Sequence, residues 1–240
     1  ALRRIQKCSQ VLDTATLSPI QKTPPMTFYV DGADYVRHVM EKYKYLTKRD
    51  WVKPWVDGGI VPVGWASWYK SETRDGVYTP DENLIYKSDF DIANYDNLFK
   101  LGHGTGPLIV IGGINRGEKM PDIFAMHYRV DGYVECFANA LSISIADRLK
   151  KEACVVIHDV EKLRKIVDEQ IGICGVAGPC KYTNDHQRDV FLKAAADDWQ
   201  DEYRIFWEVK KPIRELEEME KSAFEIELPP GIGTEINLDD

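Results

Sequence analysis

The sequence predicts an α+β fold, in which a mixed, mostly antiparallel sheet with flanking helices forms a single domain. Strand-like and helix-like segments follow one another irregularly, unlike the regular βαβ succession of a parallel sheet. Asp131-Gly132 separates two apolar segments, "DIFAMHYRV" and "YVECFANAL", and this dipeptide is a strong signal for a β-hairpin. Of the 240 residues, 44% are hydrophobic and 11% are aromatic, so the chain can bury a core of ordinary size.

The first predicted elements lie in the N-terminal part of the chain. Residues 1–26 are polar and end in tandem prolines, which predicts an extended arm ahead of a domain formed by residues 27–240. The segment "TFYVDG" follows as a short strand. In residues 33–50, apolar side chains recur at helical spacing, which predicts an amphipathic helix capped by Asp31 or Asp34.

The middle of the chain is predicted to be rich in strands. "GGIVPVGWASWYKS" predicts one or two strands, and "PLIVIGGI" predicts a buried strand. Between them, turn signals such as Asp75-Gly76 mark an irregular segment that also contains Arg74 and Glu82. Loops of this kind often carry binding groups, and the forked donors of Arg74 make it a candidate to bind a diphosphate.

The C-terminal half is predicted to contain both strands and helices. "ACVVIHD" predicts a strand, and "DVEKLRKIVDEQI" predicts a helix with Asp159 as its N-cap. A short extended "CKYT", a helix in "HQRDVFLKAAADDW" and a strand in "EYRIFWEV" are predicted next. A charged connector, "KKPIRELEEMEKS", then leads to a last strand, "FEIELPPG".

Net charge and cysteine usage limit the possible classes of protein. A net charge of −8 argues against a broad basic face for nucleic acid. No run of about 18 apolar residues occurs, so no transmembrane helix and no membrane partner are predicted. The five cysteines are odd in number and lack metal-ligand spacing. They predict a reducing compartment, hence the cytoplasm, and no metal site.

The segment "WQDEYRIFW" holds the main candidate site. On a strand, Glu202 and Arg204 point to the same face because side chains alternate from one face to the other. One interpretation is a structural ion pair between them. The other is an active site, in which a rigidly held Glu202 carboxylate stabilises a developing positive charge and Gln200 is its polar partner.

Several segments of the C-terminal half resemble a family of uncharacterised bacterial and phage-encoded proteins, often found near defence or abortive-infection genes. These segments are "YVECFANAL", "ACVVIHDVEKL", "CKYT", "FLKAAADDWQDEYRIFW" and "FEIELPPGI", and the match covers residues 130–232. Its most specific piece is "DDWQDEYRIFW". In the family pattern, a Lys, a Trp or Tyr, and a Glu followed by an Arg come at this point. The family is similar in element order to ADP-ribosyltransferase-like toxins that modify DNA or protein.

This resemblance implies a prophage-linked, toxin-like transferase that uses NAD and modifies a host protein or nucleic acid. Glu202 is then the implied catalytic carboxylate, and Gln200 is the implied acceptor-side residue. Tyr29 lies where such enzymes carry an Arg or His that holds NAD, and Tyr69 is a ring that could stack on nicotinamide, with core packing as the alternative. The full set of implied cofactor-binding residues is Tyr29, Ser67, Tyr69, Arg74 and Arg204.

Two other functions fit parts of the sequence. Glu208-Val209-Lys210 resembles the Glu-x-Lys of metal-dependent nucleases, with Asp81 or Asp197 as the second acid. The abundance of Trp and Tyr is also typical of a non-catalytic phage protein that binds and modulates a host protein.

Overall fold

The computed structural model describes residues 40–70, 79–88 and 125–238, all within one compact unit of the chain. The strands in these ranges are β1 (Lys42–Leu46), β2 (Gly59–Trp65), β3 (Leu84–Ser88), β4 (Ala125–Arg129), β5 (Gly132–Ala138), β6 (Ala153–Ile157), β7 (Val176–Pro179), β8 (Lys181–Thr183), β9 (Leu192–Ala194), β10 (Glu202–Glu208), β11 (Phe224–Leu228) and β12 (Gly233–Ile236). The α-helices are α1 (Lys53–Val56), α2 (Ile143–Arg148), α3 (Val160–Ile171) and α4 (Ile213–Glu218). Short 3₁₀-helices cover Arg49–Val52, Ala66–Lys70 and Ala195–Gln200.

Strand β5 is the centre of the largest sheet, and three strands pair with it. Antiparallel β10 covers one edge of β5 along its whole length. The other edge is shared, because β1 pairs with the end of β5 at Tyr43↔Ala138 and β2 pairs with its beginning at Gly64↔Val134. The residues 135–137 of β5 therefore lie beside a gap between two diverging strands. We call this gap between β1 and β2 the fork.

Each side of the fork continues into further antiparallel strands. β1 is followed by β6 and β12, and β2 is followed by β11. β7 extends the sheet beyond β10, while β3–β4 form a small antiparallel sheet and β8–β9 a small parallel one. The predicted α+β fold, with a mixed, mostly antiparallel sheet and flanking helices, is confirmed.

Helix α3 forms as the sequence predicts. The Asp159 side chain accepts a hydrogen bond from the backbone N of Lys162 at 2.9 Å, which makes it the N-cap. The helix ends at Gly172, whose φ of 77° is a left-handed conformation that glycine adopts without strain. Its apolar face packs into the main core of the large sheet. The buried residues of this face are Val160, Leu163 and Val167.

The predicted helix over residues 33–50 is wrong where the structure describes it. Lys42–Leu46 forms β1 and pairs antiparallel with β6 along its whole length. Tyr45 and Leu46 are both buried, and they join different apolar clusters because successive strand residues face opposite ways. Pairing with the buried β6 outweighs the helical spacing of the apolar residues. Residues 33–39 lie outside the described residues.

The predicted hairpin at Asp131-Gly132 is also wrong. β4 and β5 flank this dipeptide as expected, but β4 pairs with β3 and β5 pairs with other strands. The Asp131 carboxylate accepts hydrogen bonds from the backbone N of Ser67 at 3.1 Å and of Gly132 at 2.9 Å, and it pairs with Lys221. These contacts attach the turn to neighbouring elements, so the two strands enter different sheets.

The helix predicted in residues 186–199 is replaced by strand β9 and the 3₁₀-helix Ala195–Gln200. β9 pairs in parallel with β8, and this pairing takes the backbone groups that a helix would need. The strand expected in "TFYVDG", the strand expected in "PLIVIGGI" and the boundary between residues 26 and 27 lie outside the described residues.

Two further observations concern the helices and the cysteines. Among the described helices, none has both the length and the apolar character needed to cross a membrane. Cys136, Cys154 and Cys180 are free thiols, whereas Cys174 is disulfide-bonded. A disulfide is not what a uniformly reducing compartment favours, so the cytoplasmic location stays a prediction.

Candidate active site in the fork of the sheet

A cavity of about 680 Å³ occupies the fork. Its lining comes from β1, from β2 and from Val134–Ala138 of β5, together with side chains from β9, β10 and the segment before β3. This volume lies within the range of ~300–1,000 Å³ that is typical of small-molecule and cofactor sites. The aromatic side chains along its wall are Tyr43, Tyr45, Trp51, Trp55, Trp68, Tyr69 and Phe137.

One end of this cavity, which we call the polar end, consists of Glu82, Lys193, Gln200, Glu202 and Arg204. Arg204 makes the most contacts within it. Its Nε donates to Glu202 Oε1 at 2.9 Å, and its Nη1 donates to Glu82 Oε1 at 2.6 Å. Nη1 also donates to the carbonyl oxygen of Val190 at 2.8 Å, and Nη2 lies 3.3 Å from Glu82 Oε2 and 2.9 Å from Glu202 Oε1. Four of these contacts are hydrogen bonds and the Nη2–Glu202 contact is an ion-pair distance, so protein groups hold most of the five N–H donors of the guanidinium.

Lys193 joins the two residues of the candidate Gln-x-Glu motif. Its Nζ donates to Glu202 Oε2 at 2.8 Å and to Gln200 Oε1 at 2.9 Å. Gln200 in turn donates from Nε2 to Asp197 Oδ1 at 3.1 Å. An ammonium has three N–H donors, and the described residues supply acceptors for two of them. The third remains for a ligand in the cavity that Lys193 lines.

Asp201 turns the backbone between Gln200 and Glu202. Its φ of 41° and ψ of 51° are left-handed, which is uncommon for a residue other than glycine. The side-chain Nδ2 of Asn139 holds this turn by donating to the carbonyl oxygen and to Oδ1 of Asp201, each at 3.0 Å. The backbone N of Asn139 donates to the same carbonyl oxygen at 2.8 Å. This turn ends the 3₁₀-helix and begins β10, so the two flanking side chains reach the same ammonium.

The charges at the polar end balance one another. Glu202 and Glu82 are acids, and Arg204 and Lys193 are the cations that pair with them. Burial alone would raise the pKa of Glu202, but Arg204 and Lys193 outweigh burial and lower this pKa to about 2. Burial alone would lower the pKa of Lys193, and the adjacent Glu202 raises it instead. Both groups are therefore ionised at neutral pH, which suits Glu202 to electrostatic stabilisation rather than to proton transfer.

A second buried ion pair lies in the fork itself. Lys44 Nζ contacts Glu135 Oε2 and donates to the carbonyl oxygen of Cys136 at 3.2 Å. β1 and β5 pair only at Tyr43↔Ala138, so Lys44 connects the two strands where their backbones have separated. The cavity therefore has two charged regions, one at Glu202 and one at Glu135.

Four of the predicted site residues come together in the structure. Gln200, Glu202, Arg204 and Tyr69 all line the fork cavity. The expected ion pair between Glu202 and Arg204 is present, and Glu202 also lines the cavity. The active-site interpretation of Glu202 stays a prediction. Arg204 donates hydrogen bonds to Glu202, to Glu82 and to a backbone carbonyl, so it orients Glu202. Its role in cofactor binding stays a prediction.

The other predicted cofactor-binding residues are not part of this group. Ser67 is absent from the described lining of the cavity, and its hydroxyl accepts a hydrogen bond from Lys221 Nζ at 3.0 Å. Lys221 also pairs with Asp131 at 2.5 Å, so Ser67 belongs to a separate polar network. Tyr29 and Arg74 lie outside the described residues.

The residues of the nuclease alternative lie at the far end of β10. Glu208 and Lys210 are both exposed to solvent. Within residues 40–70, 79–88 and 125–238, no group of three or more His, Cys, Asp or Glu side chains could hold a metal ion. The geometry of these residues therefore lends no support to a metal-dependent nuclease.

Sequence reasoning assigned no role to several charged residues of the cavity. Lys193 precedes Glu202 by nine residues, and its only signal was the Lys of the family pattern. Glu82 was noted in a turn-rich segment, but it is 122 residues from Arg204 and no local spacing connects them. The Lys44–Glu135 pair likewise joins residues 91 apart in the sequence.

Comparisons with known proteins add no further constraint. No protein-family model, curated protein or solved structure matches this chain. The resemblance of residues 130–232 to the phage-encoded family therefore stays a prediction.

Proposed function

We propose that this protein is an ADP-ribosyltransferase-like enzyme that uses NAD, with the fork cavity as its binding site. The observation that carries the proposal is that Glu202 and Gln200 line one cavity together with Tyr69. This combination supplies a carboxylate, an acceptor-side amide and a ring that can stack on nicotinamide. The volume of about 680 Å³ is also that of a cofactor site.

In the proposed reaction, the bond between nicotinamide and the ribose C1′ atom breaks, and nicotinamide leaves with the bonding electron pair. A nucleophilic atom of the acceptor gives its own electron pair to C1′ and releases its proton to solvent water. The ribose carries positive charge between these events, and a fixed carboxylate beside it lowers the energy of that charge. Glu202 supplies this carboxylate, because its lowered pKa keeps it ionised at any pH near neutrality. Gln200 orients the acceptor.

The two cations have different parts in this proposal. Arg204 donates hydrogen bonds to Glu202 and to other protein groups, so it holds the Glu202 carboxylate in one orientation. Lys193 keeps one N–H donor and lines the cavity. That donor is available for an oxygen of the ribose or of the diphosphate.

The proposal also covers the setting in which the enzyme acts. The resemblance of residues 130–232 supports a phage- or prophage-linked effector that works in the cytoplasm of a bacterial host. Its acceptor is a host protein or nucleic acid. The net charge of −8 favours a protein acceptor, because binding of nucleic acid normally draws on a basic face.

Labelled NAD tests this function directly. Purified protein is incubated with the label and a bacterial extract, and both the labelling of macromolecules and the release of nicotinamide are measured. Glu202→Gln is expected to lower both by about 100-fold or more, as loss of a main electrostatic group does in other enzymes. Equal activity of the variant and the wild type, with both folded, would rule out the assigned role of Glu202.

Asp131→Asn is the matched control for this experiment. Asp131 is also a buried carboxylate paired with a lysine, but it does not belong to the described lining of the cavity. Its variant is expected to keep the activity. The non-catalytic alternative replaces the proposal if NAD leaves the melting temperature unchanged and one stoichiometric host partner binds wild type and Glu202→Gln equally.

A further inference from the structure

Glu135 lines the cavity, and one oxygen of its carboxylate has no hydrogen-bond partner among the described residues. Only 6% of the surface of Glu135 is exposed, and the residue lines the fork cavity. Lys44 Nζ contacts Oε2, whereas Oε1 has no hydrogen-bond partner among the described residues. Oε1 is nevertheless not enclosed by protein atoms, so it faces accessible space. A carboxylate oxygen in this position favours a ligand that brings an N–H or O–H donor.

Lys44 offers the complementary group beside it. Its Nζ uses one N–H on Glu135 Oε2 and one on the carbonyl oxygen of Cys136, and no acceptor for the third is found in the described part of the chain. The Lys44–Glu135 pair is neutral, so a cationic ligand would be repelled by Lys44 as much as it is attracted by Glu135. The open acceptor and the open donor together fit a neutral group in which a donor lies next to an acceptor.

Flat apolar surfaces surround this pair. The ring centroids of Trp55 and Phe137 lie 5.9 Å and 5.3 Å from Lys44 Nζ. Trp51 adds a further ring to the cavity wall, and 50% of its surface is exposed. A half-exposed Trp beside a cavity is a stacking surface for another planar ring. These rings favour a planar heterocycle over an aliphatic ligand.

We propose that the Glu135 end of the cavity binds a nucleobase that carries an exocyclic amine next to an unprotonated ring nitrogen, as adenine does. Glu135 Oε1 accepts a hydrogen bond from the amine, Lys44 donates to the ring nitrogen, and Trp51 stacks on the ring. This subsite rests on the proposed use of NAD and assigns the adenine end of that molecule.

The position of the subsite agrees with a dinucleotide. Glu135 and Cys136 point to opposite faces of β5, and Cys136 is opposite Arg204 on β10. Glu202 therefore lies on the Cys136 face, while the base subsite lies on the other face and is reached through the fork. One cavity connects both regions, so a base at one end and a ribose at the other can belong to the same ligand.

Calorimetric titration of the full chain with adenosine and with inosine tests the subsite. Inosine carries a carbonyl oxygen in place of the amine and a hydrogen on the neighbouring ring nitrogen, so its donor and acceptor are exchanged. Adenosine is expected to bind about tenfold more tightly than inosine, which is the effect of losing one hydrogen bond to a charged group. Equal affinities, or no binding of adenosine, would overturn the proposal.

Variants test whether Glu135 causes the preference for adenosine over inosine. Glu135→Gln is expected to bring the affinity ratio close to one, whereas Asp131→Asn, a buried lysine-paired carboxylate outside the described lining, keeps it. Because Glu135→Gln leaves the Lys44 charge without its partner, the neutral double variant Lys44→Met/Glu135→Gln is measured as well. A folded double variant that still prefers adenosine tenfold contradicts the assignment.

The two proposals can fail separately. Adenosine contains no nicotinamide, so its binding does not depend on any transfer reaction. If adenosine is preferred through Glu135 but NAD is not consumed, the base subsite stands and the transferase is wrong. If NAD is consumed in a Glu202-dependent way but adenosine and inosine bind equally, the transferase stands and the subsite is wrong.

Discussion

Lys193 Nζ lies 2.8 Å from Glu202 Oε2, and the two side chains are only 7% and 6% exposed. Two charges buried this deeply lose most of their hydration, so each requires close partners. Gln200 is the second acceptor for Lys193, and Arg204 is the second cation for Glu202. The stability of the polar end therefore depends on the balance of its charges.

Removing one charge from this group should cost more than removing two of opposite sign. Lys193→Met is expected to lower the free energy of unfolding by about 3 kcal/mol, because it leaves an excess negative charge in the interior. The double variant Lys193→Met/Glu202→Gln restores neutrality and should lose less stability than the single variant. Urea unfolding of the wild type and both variants measures the difference.

An exposed ion pair provides the comparison for that experiment. Arg214 Nε lies 2.9 Å from Glu218 Oε1, but these side chains are 80% and 66% exposed. Arg214→Ala is therefore expected to change the free energy of unfolding by less than about 0.5 kcal/mol. If Lys193→Met has no larger effect than Arg214→Ala, the buried charges are not coupled as described.

The lowered pKa of Glu202 predicts a defined loss of stability in acid. Its pKa falls from 4.5 to about 2 on folding, because Arg204 and Lys193 outweigh the effect of burial. A carboxyl group with a lowered pKa stabilises the fold above its unfolded pKa, and this contribution disappears as the pH falls through the folded pKa. The contribution is on the order of 3 kcal/mol.

Glu202→Gln cannot show this acid-dependent loss. The difference in unfolding free energy between the wild type and Glu202→Gln should be constant above pH ~5 and should shrink between pH ~4.5 and ~2. Urea unfolding across this pH range measures the difference. A constant difference at all pH values would mean that Glu202 has an ordinary pKa in the folded protein.

Sequence spacing predicted the candidate site only where its residues are close together, and Tyr69 was implied by the resemblance alone. Glu202 and Arg204 share a face because β10 is a strand, and the apolar and aromatic residues of "EYRIFWEV" made that strand predictable. The partner Glu82 comes from a segment 122 residues away, and the fork depends on how β1 and β2 divide one edge of β5. Strand register and partner choice are set by tertiary packing, which local patterns do not encode.

The same limit explains the misassigned elements. Residues 33–50 have helical spacing of apolar side chains, but β1 lies next to the buried β6 and gains more from pairing with it. Helix α3 was predicted with its cap because the Asp159 N-cap and the apolar face are both local features. Local sequence patterns therefore predicted α3 and β10 correctly. At β1 and β9 the same kind of pattern predicted helices, and strand pairing formed strands instead.

The left-handed turn at Asp201 should be required for the geometry of the site. Asn139→Ala removes the two side-chain hydrogen bonds to Asp201, each 3.0 Å long, and is expected to lower the free energy of unfolding by about 1–2 kcal/mol. Gln200 and Glu202 flank this turn, so the rate of NAD consumption should fall as well, even at a temperature where the variant is fully folded. Asn139→Asp keeps the size of the side chain but not its N–H donors, so it should behave like Asn139→Ala. A fully active Asn139→Ala enzyme would contradict the role of the turn.

The buried thiols should report on local opening of the polar end. Burial raises the pKa of Cys154 to about 12 and that of Cys180 to about 12, so at pH 8 only about one thiol in ten thousand is ionised. Both should therefore react slowly with iodoacetamide in the native protein.

The backbone N of Cys180 donates to the carbonyl oxygen of Glu202 at 2.8 Å, whereas Cys154 packs in a separate apolar cluster. Lys193→Met should therefore accelerate the labelling of Cys180 and leave that of Cys154 unchanged, as measured by mass spectrometry of digested protein. Equal acceleration at both thiols would indicate global unfolding instead of a local effect, and the Arg214→Ala variant should alter neither rate.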